Sequence, residues 1–188
     1  MKTSTVVSDD IKRYYNNDRI CSNTLSQWFP KIKNASGLKS PATITIPVPV
    51  DVFTAFLYDE VGQNMKAIKT FIESDVIPSM ATAPRWFIKN GCFSNKFDFR
   101  NSITNECKVL DDFIAIQYAA ACFETGGISE INLREIIPHN EQETATIYHG
   151  MPLQTEIRVF YDFDQRKMLY SANYWDYDYV RPHRHNRI

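Results

Sequence analysis

The sequence predicts an α+β fold: a small N-terminal α/β piece followed by an antiparallel-sheet domain with one packed helix. Three observations carry this. Apolar residues recur at helical spacing through the first eighty positions, broken by one β-branched run. After Pro84 the texture changes to aromatic strands and tight turns. A single core-facing helical stripe then interrupts those strands. The predicted boundaries are residues 1–83 for the N-terminal α/β domain, 84–179 for the sheet domain and 180–188 for a basic tail.

In chain order, Ser8 and Asp9 can cap a first helix through Tyr15, and Asn23 or Thr24 a second carrying Leu25, Trp28, Phe29 and Ile32, although Pro30 argues against it. Residues 43–50 alternate β-branched residues with Pro47 and Pro49, so the strand ends early or lies at an edge. Residues 64–73 place Met65, Ile68, Phe71 and Ile72 on one helix face, and Pro78 and Pro84 bracket a loop. Residues 85–89 and 96–99 read as a hairpin around the polar loop 90–95. A helix over 109–124 aligns Val109, Phe113, Ile116, Ala120 and Phe123, with Asp111 and Asp112 in its first turn and Gly126 as its C-cap. Residues 131–137 form a strand closed by Pro138. Residues 153–163 form a longer one, with Leu153, Thr155, Ile157, Val159, Tyr161 and Phe163 on one face and Glu156, Arg158, Phe160 and Asp162 on the other. A turn at 164–167 leads into a partner strand over 168–175.

Composition excludes several function classes. The 188 residues are 44% hydrophobic and 23% charged, ordinary globular usage that supports a sizeable core. Twenty-one Lys and Arg against 22 Asp and Glu leave a net charge of −1, so no global positive field attracts nucleic acid or anionic lipid. The longest apolar run, 113–123, falls well short of a membrane span, and the polar N-terminus lacks a secretion signal, so a cytoplasmic protein is expected. Cys21, Cys92, Cys107 and Cys122 are too scattered for a zinc site or a disulfide framework and read as inert thiols.

Three stretches carry candidate chemistry. In R-W-F-I-K-N-G-C-F-S-N-K-F-D-F, residues 85–99, Lys89 and Lys96 flank a loop with Gly91 and the Ser94 hydroxyl. Fixed positive charge beside short donors is what phosphates require. Two solvated lysines on a hairpin are the alternative. In residues 151–164, Glu156 and Arg158 share the polar strand face and can orient a ribose or substrate group and a phosphate, or form a structural ion pair. In L-R-E-I-I-P, Arg134 and Glu135 point to opposite faces, so one of them reaches a cleft or pairs at the sheet surface. The tail R-P-H-R-H-N-R-I follows the aromatics Tyr174, Trp175, Tyr177 and Tyr179. His183 and His185 alone do not close a zinc site, and the tail reads as solvated.

The order of these pieces, with T-I-Y-H-G-M-P-L-Q-T-E-I-R-V-F-Y-D-F-D and N-Y-W-D-Y-D, resembles the ATP-grasp superfamily. Within it, the nearest likeness is to the branch related to the cell-division-cycle 123 assembly proteins and their bacterial and phage relatives. The resemblance covers roughly residues 84–179. It implies ATP and magnesium as cofactors and a nucleotide held between two α/β pieces, with Lys89 on the α and β phosphates and Lys96 beside them. The hinge strand 133–137, with Glu135 and Ile136, would offer backbone groups to adenine. Arg134 and a catalytic Arg158 would bring charge to phosphate or substrate, and Glu156 would orient that site. The implied chemistry is activation of a peptide or small-molecule carboxylate as an acyl phosphate, by positioning and charge neutralisation. The magnesium carboxylates of the superfamily have no match here, since Asp176 and Asp178 do not fit their motif, and the metal would rest on phosphates and water. Two expectations follow: an ATP-dependent ligase or transferase if a metal segment is supplied, or a non-catalytic, ATP-stabilised protein-binding factor that docks through Tyr174 to Tyr179. A remnant with neither property is the third.

Overall fold

The computed structural model describes residues 8–36, 39–138, 145–154, 156–162 and 164–176, leaving aside the side chains of 34–36. The expectations for Thr155, Phe163, Tyr177, Asp178, Tyr179 and the tail lie outside these residues. The fold is α+β, with several helices and small antiparallel sheets. No helix among the described residues is long and apolar enough to cross a membrane.

Helix α1 (Asp9–Ile20) starts where the Ser8 hydroxyl accepts from the Ile11 N–H, with Asp9 and Asp10 in the first turn. Helix α2 (Leu25–Ser36) forms despite Pro30 inside it. Strand β1 (Thr43–Pro47) stops short of the expected residue 50, because Pro49, at φ −59°, becomes the N-cap of helix α3 (Val50–Leu57), which the sequence reading missed. Helix α4 (Met65–Phe71) runs into a π-helical turn, Ile72–Val76, and a short helix α5 (Ile77–Ser79), so Pro78 lies in helix rather than in a loop.

Strand β2 (Trp86–Asn90) is as expected, but its hairpin partner is not residues 96–99. Residues Lys96–Ser102 form a 3₁₀ segment kinked at Asp98, and β2 pairs instead with β3 (Ile103–Thr104), Trp86 opposite Thr104. Asn90 causes the change. Its carboxamide oxygen accepts from the Cys92 and Phe93 N–H groups, turning the chain out of the ladder. Asn105 then accepts from the Cys107 and Lys108 N–H groups and launches helix α6 (Val109–Cys122). The α6 stripe is buried except for Phe123, which lies past the helix end and is 68% exposed. Its C-terminus is closed by Glu124, in the left-handed region at φ 51°, rather than by Gly126. Thr125 N–H reaches Ala120 O and Glu124 N–H reaches Ala121 O, a Schellman pairing.

Strand β4 (Glu130–Glu135) is central in the sheet of order β1-β4-β2-β3, and β1 is an edge as its prolines require. β1 precedes the expected boundary at 83/84 yet pairs with β4 beyond it, Ile44 opposite Leu133. The chain divides elsewhere. One compact unit runs through Asn95 and resumes over Asn101–Ile136; the other takes Lys96–Arg100 and the chain from Ile137 onward. In the first unit, Ile46, Trp86, Ile88, Ile131 and Leu133 join Phe53 and Phe56 of α3, Ile68 and Phe71 of α4, and Phe113 of α6 in one core. Phe56 and Phe113 meet edge to face at 5.6 Å.

The second unit holds two ladders, β5 (Thr146–Ile147) with β6 (Met151–Pro152), and β7 (Ile157–Asp162) with β8 (Lys167–Asn173). Of the expected long strand 153–163, residues 157–162 are strand and 153, 154 and 156 are not. Its apolar face is not core: Ile157 is 63% and Val159 50% exposed. The β7–β8 turn is held by the Asp162 carboxylate, which accepts from the Asp164 and Gln165 N–H groups.

In the first unit, Asp18 of α1 accepts from the Gly127 N–H at 2.6 Å and the Ser129 N–H at 2.8 Å, pinning the approach to β4. Asp18→Ala leaves both donors unpaired and is expected to cost about 2 to 4 kcal/mol. A urea midpoint within error of the parent's would refute this account of how α1 is held.

Candidate functional site

The alternation E-I-N-L-R-E in β4 sorts its side chains by face. Ile131 and Leu133 enter the core, whereas Glu130, Asn132 and Arg134 share the opposite face. The register adds Lys89 opposite Asn132, Phe87 opposite Arg134, Thr45 opposite Asn132 and Thr43 opposite Arg134. One face of the sheet therefore carries a polar row in place of a second core.

That row is partly wired. Thr45 Oγ1 donates to Asn132 Oδ1 at 2.6 Å, and Asn132 Nδ2 donates to Glu130 Oε1 at 3.0 Å. The same Glu130 oxygen accepts from the Ser26 N–H at 3.2 Å and so completes the N-terminus of α2. Phe29 of α2 lies against the Arg134 guanidinium at 5.4 Å. Pro30 fits because α2 is held by these contacts rather than by helix propensity alone.

Lys89 and Arg134 are the exceptions on this face. Neither takes part in an ion pair among the described residues. Arg134 Nε is buried without a hydrogen-bond partner among them. Burial, and next the Arg134 guanidinium, push the Lys89 ammonium below its ordinary 10.5, opposed by Cys92 and Glu130. Burial likewise lowers Arg134. Two half-buried cations on adjacent strands thus face one buried carboxylate whose bonds go to Ser26 and Asn132.

The loop after β2 offers fewer donors than the sequence implies. Gly91 N–H donates to Gly127 O, and the Cys92 and Phe93 N–H groups serve Asn90. Gly91 is required for closeness: a Cβ there would lie 2.6 Å from Thr24 Cγ2 and 3.0 Å from Glu130 Cγ. Ser94 is half-buried at the end of this loop. The Glu135 carboxylate accepts from the Ala42 N–H at 3.1 Å and its own N–H donates to Ala42 O, so Glu135 anchors β1. Ile136 lies just past the strand end, half-buried.

Lys96, Glu156 and Arg158 belong to the second unit and gather there around Tyr174. Lys96 Nζ lies 4.4 Å and Arg158 Cζ 4.7 Å from the ring centroid, and the Tyr174 N–H donates to Glu156 O. The Glu156 carboxylate forms no ion pair with Arg158. Tyr174 packs on Trp175 at 4.9 Å, and Phe97 on Tyr148 at 4.9 Å. The expected exposed aromatics at 174 and 175 are therefore half-buried and engaged; the β7–β8 ribbon does expose apolar surface, with Met168 60%, Leu169 54% and Tyr170 54% exposed. Among the described residues no three His, Cys, Asp or Glu side chains converge as a metal group.

No protein-family model, curated protein or solved structure matches this chain. The geometry is what bears on function. Sequence reasoning missed Glu130, Asn132, Thr45 and Phe29, although the period of two in E-I-N-L-R-E already placed Glu130 and Asn132 beside Arg134.

The shifted Lys89 has a measurable consequence. Below its folded-state pKa both folded and unfolded chains carry the ammonium, and the burial penalty is present in full. Between that value and 10.5 the folded chain has released a proton that the unfolded chain still holds, so stability rises with pH through this window. Lys89→Met is expected to remove that rise in urea midpoints taken from neutral to alkaline pH. An unchanged pH profile in the variant would place the penalty elsewhere.

Proposed function

We propose that the chain is a nucleotide-binding protein of the ATP-grasp type, with Lys89 and Arg134 as its phosphate-holding pair. The observation that carries the reading is the pair itself: two half-buried cations on one sheet face, with no ion-pair partner among the described residues. A buried charge without a counterion is unfavourable, and an anionic ligand relieves that cost. Di- and triphosphates suit it, since Arg offers a planar fork and Lys a point charge.

In this reading Lys89 and Arg134 act within the first unit, and Lys96, Arg158 and Glu156 are a separate group around Tyr174 in the second. Ser94 adds a hydroxyl, and Ile136, beyond the spent Glu135 N–H, is the backbone position offered to adenine. Magnesium travels with the nucleotide, held by phosphates and water. An ATP-dependent ligase or phosphoryl-activating transferase is the fuller proposal. Its signature is steady ADP release when Mg-ATP is supplied with a carboxylate and an amine.

The deciding experiment is the thermal midpoint with and without saturating Mg-ATP, with GTP and magnesium alone as controls. Ligand at about a hundred times its dissociation constant adds about 2.7 kcal/mol, which raises the midpoint by roughly 5 to 10 °C for a chain of this size. The rise is expected with ATP and is expected to vanish in Lys89→Met. An equal rise in the variant removes Lys89 from the phosphate site.

The β7–β8 ribbon favours a second reading, a non-catalytic assembly factor stabilised by ATP. A two-stranded ribbon with Ile157, Val159, Met168 and Leu169 half or more exposed offers apolar contact to a protein partner. Under that reading Val159→Lys with Leu169→Lys abolishes partner capture by the immobilised chain while the ATP-dependent midpoint shift persists. Capture that survives both substitutions rejects the ribbon as the docking surface.

A further inference from the structure

The other lysines with described contacts are employed: Lys12 pairs with Asp9, Lys108 with Asp112, and Lys96 lies over Phe97 and Tyr174. Lys89 has no such duty. It stands on β2, opposite Asn132 and diagonal to Arg134, where such diagonal neighbours lie about 7 to 8 Å apart and their Cβ atoms somewhat closer. A primary amine carried diagonal to a guanidinium on the adjacent strand suits a molecule that has an anionic group at one end and an electrophilic carbon a few bonds away.

We infer that Lys89 is a carbonyl-reactive lysine that forms an imine with phosphorylated aldehydes, Arg134 holding the phosphate while the Lys89 amine attacks the carbonyl carbon. The nitrogen lone pair makes the new C–N bond. The carbonyl oxygen leaves as water with the two amine protons, and the imine nitrogen takes one proton from solvent. No oxidant or reductant takes part. Burial and the adjacent guanidinium, which lower the Lys89 pKa, enlarge the neutral fraction that can react. The inference rests on the same pair of cations as the nucleotide proposal but requires only that Arg134 hold a phosphate and that the Lys89 amine react.

The test treats the intact chain with pyridoxal 5′-phosphate at neutral pH, traps the imine with borohydride and maps the modified peptides by mass spectrometry. Lys89 is expected to be labelled at least about tenfold faster than the exposed Lys66 and Lys69. The preference is expected to disappear with pyridoxal, which lacks the phosphate, with excess inorganic phosphate, and in Arg134→Gln. Circular dichroism checks that this variant folds. If it does not, the comparison of the two aldehydes on the parent chain decides. Labelling of Lys89 no faster than of Lys66 and Lys69, or equal labelling by both aldehydes, overturns the inference. Preferential labelling in a chain whose midpoint ATP leaves unmoved rejects the nucleotide reading and upholds this one; an ATP shift with Lys89 unlabelled does the reverse.

Discussion

The first unit depends on satisfying the backbone of one short crossing, residues 126–129, where the chain leaves α6 and enters the centre of the sheet. Its polar groups are met from four directions. Asp18 of α1 accepts the Gly127 and Ser129 N–H groups, Gly91 N–H donates to Gly127 O, Gln117 of α6 donates to Ile128 O, and Val48 N–H donates to Ser129 O. Buried backbone groups must be paired, so this crossing ties α1, the turn after β2, α6 and the end of β1 to one another. Asn90, completely buried, joins the same network by donating to Gln117 Oε1 and Gly126 O. Glycine at 127 follows from that crowding: its φ is 73°, and a Cβ would collide with the Cys92 backbone nitrogen.

The crossing also sets the electrostatics of the polar face. It fixes where β4 begins, and therefore puts Glu130, Asn132 and Arg134 on the face opposite the core. Glu130 is drawn toward the start of α2 and toward Asn132, so it acts on Lys89 through the field without a direct ion pair. An ordinary stability-driven sheet would place threonine or valine at 89 and 134. Two cations there are locally unfavourable, and such positions concentrate where a protein binds or reacts.

Much of this was legible in the sequence. Local rules placed α1 from Ser8 and the two aspartates, α6 from its stripe, β1 at an edge from its prolines, and the β7–β8 turn from its polar residues. What stayed hidden had tertiary causes. Residues 50–57, V-D-V-F-T-A-F-L, continue a β-branched run, and the Pro49 start together with packing of Phe53 and Phe56 on the core makes them helix. Lys96 and Phe97 alternate like a strand, but the Asn90 turn removes them from the ladder. Glu124 outcompetes Gly126 as the helix terminator because the crossing needs Gly126 and Gly127 for itself. Of the candidate site, Lys89, Arg134, Lys96 and Arg158 were visible as residue types, whereas their sorting into two groups, one per compact unit, required the strand register and the boundary at residue 96. At 83/84 composition shifts, but hydrogen-bonded pairing across it does not stop.

The chain enters the second unit twice, over Lys96–Arg100 and again from Ile137 onward. This matters during synthesis. A ribosome working at about 5 to 20 residues per second delivers residues 96–100 several seconds before Tyr148. Through that interval Phe97 has no ring to pack against and the Phe99 N–H has no Tyr148 carbonyl to meet, because neither partner yet exists. The nascent chain therefore passes through a stage in which an aromatic pentapeptide is displayed from an otherwise completing sheet, a surface open to chaperones and to neighbouring nascent chains.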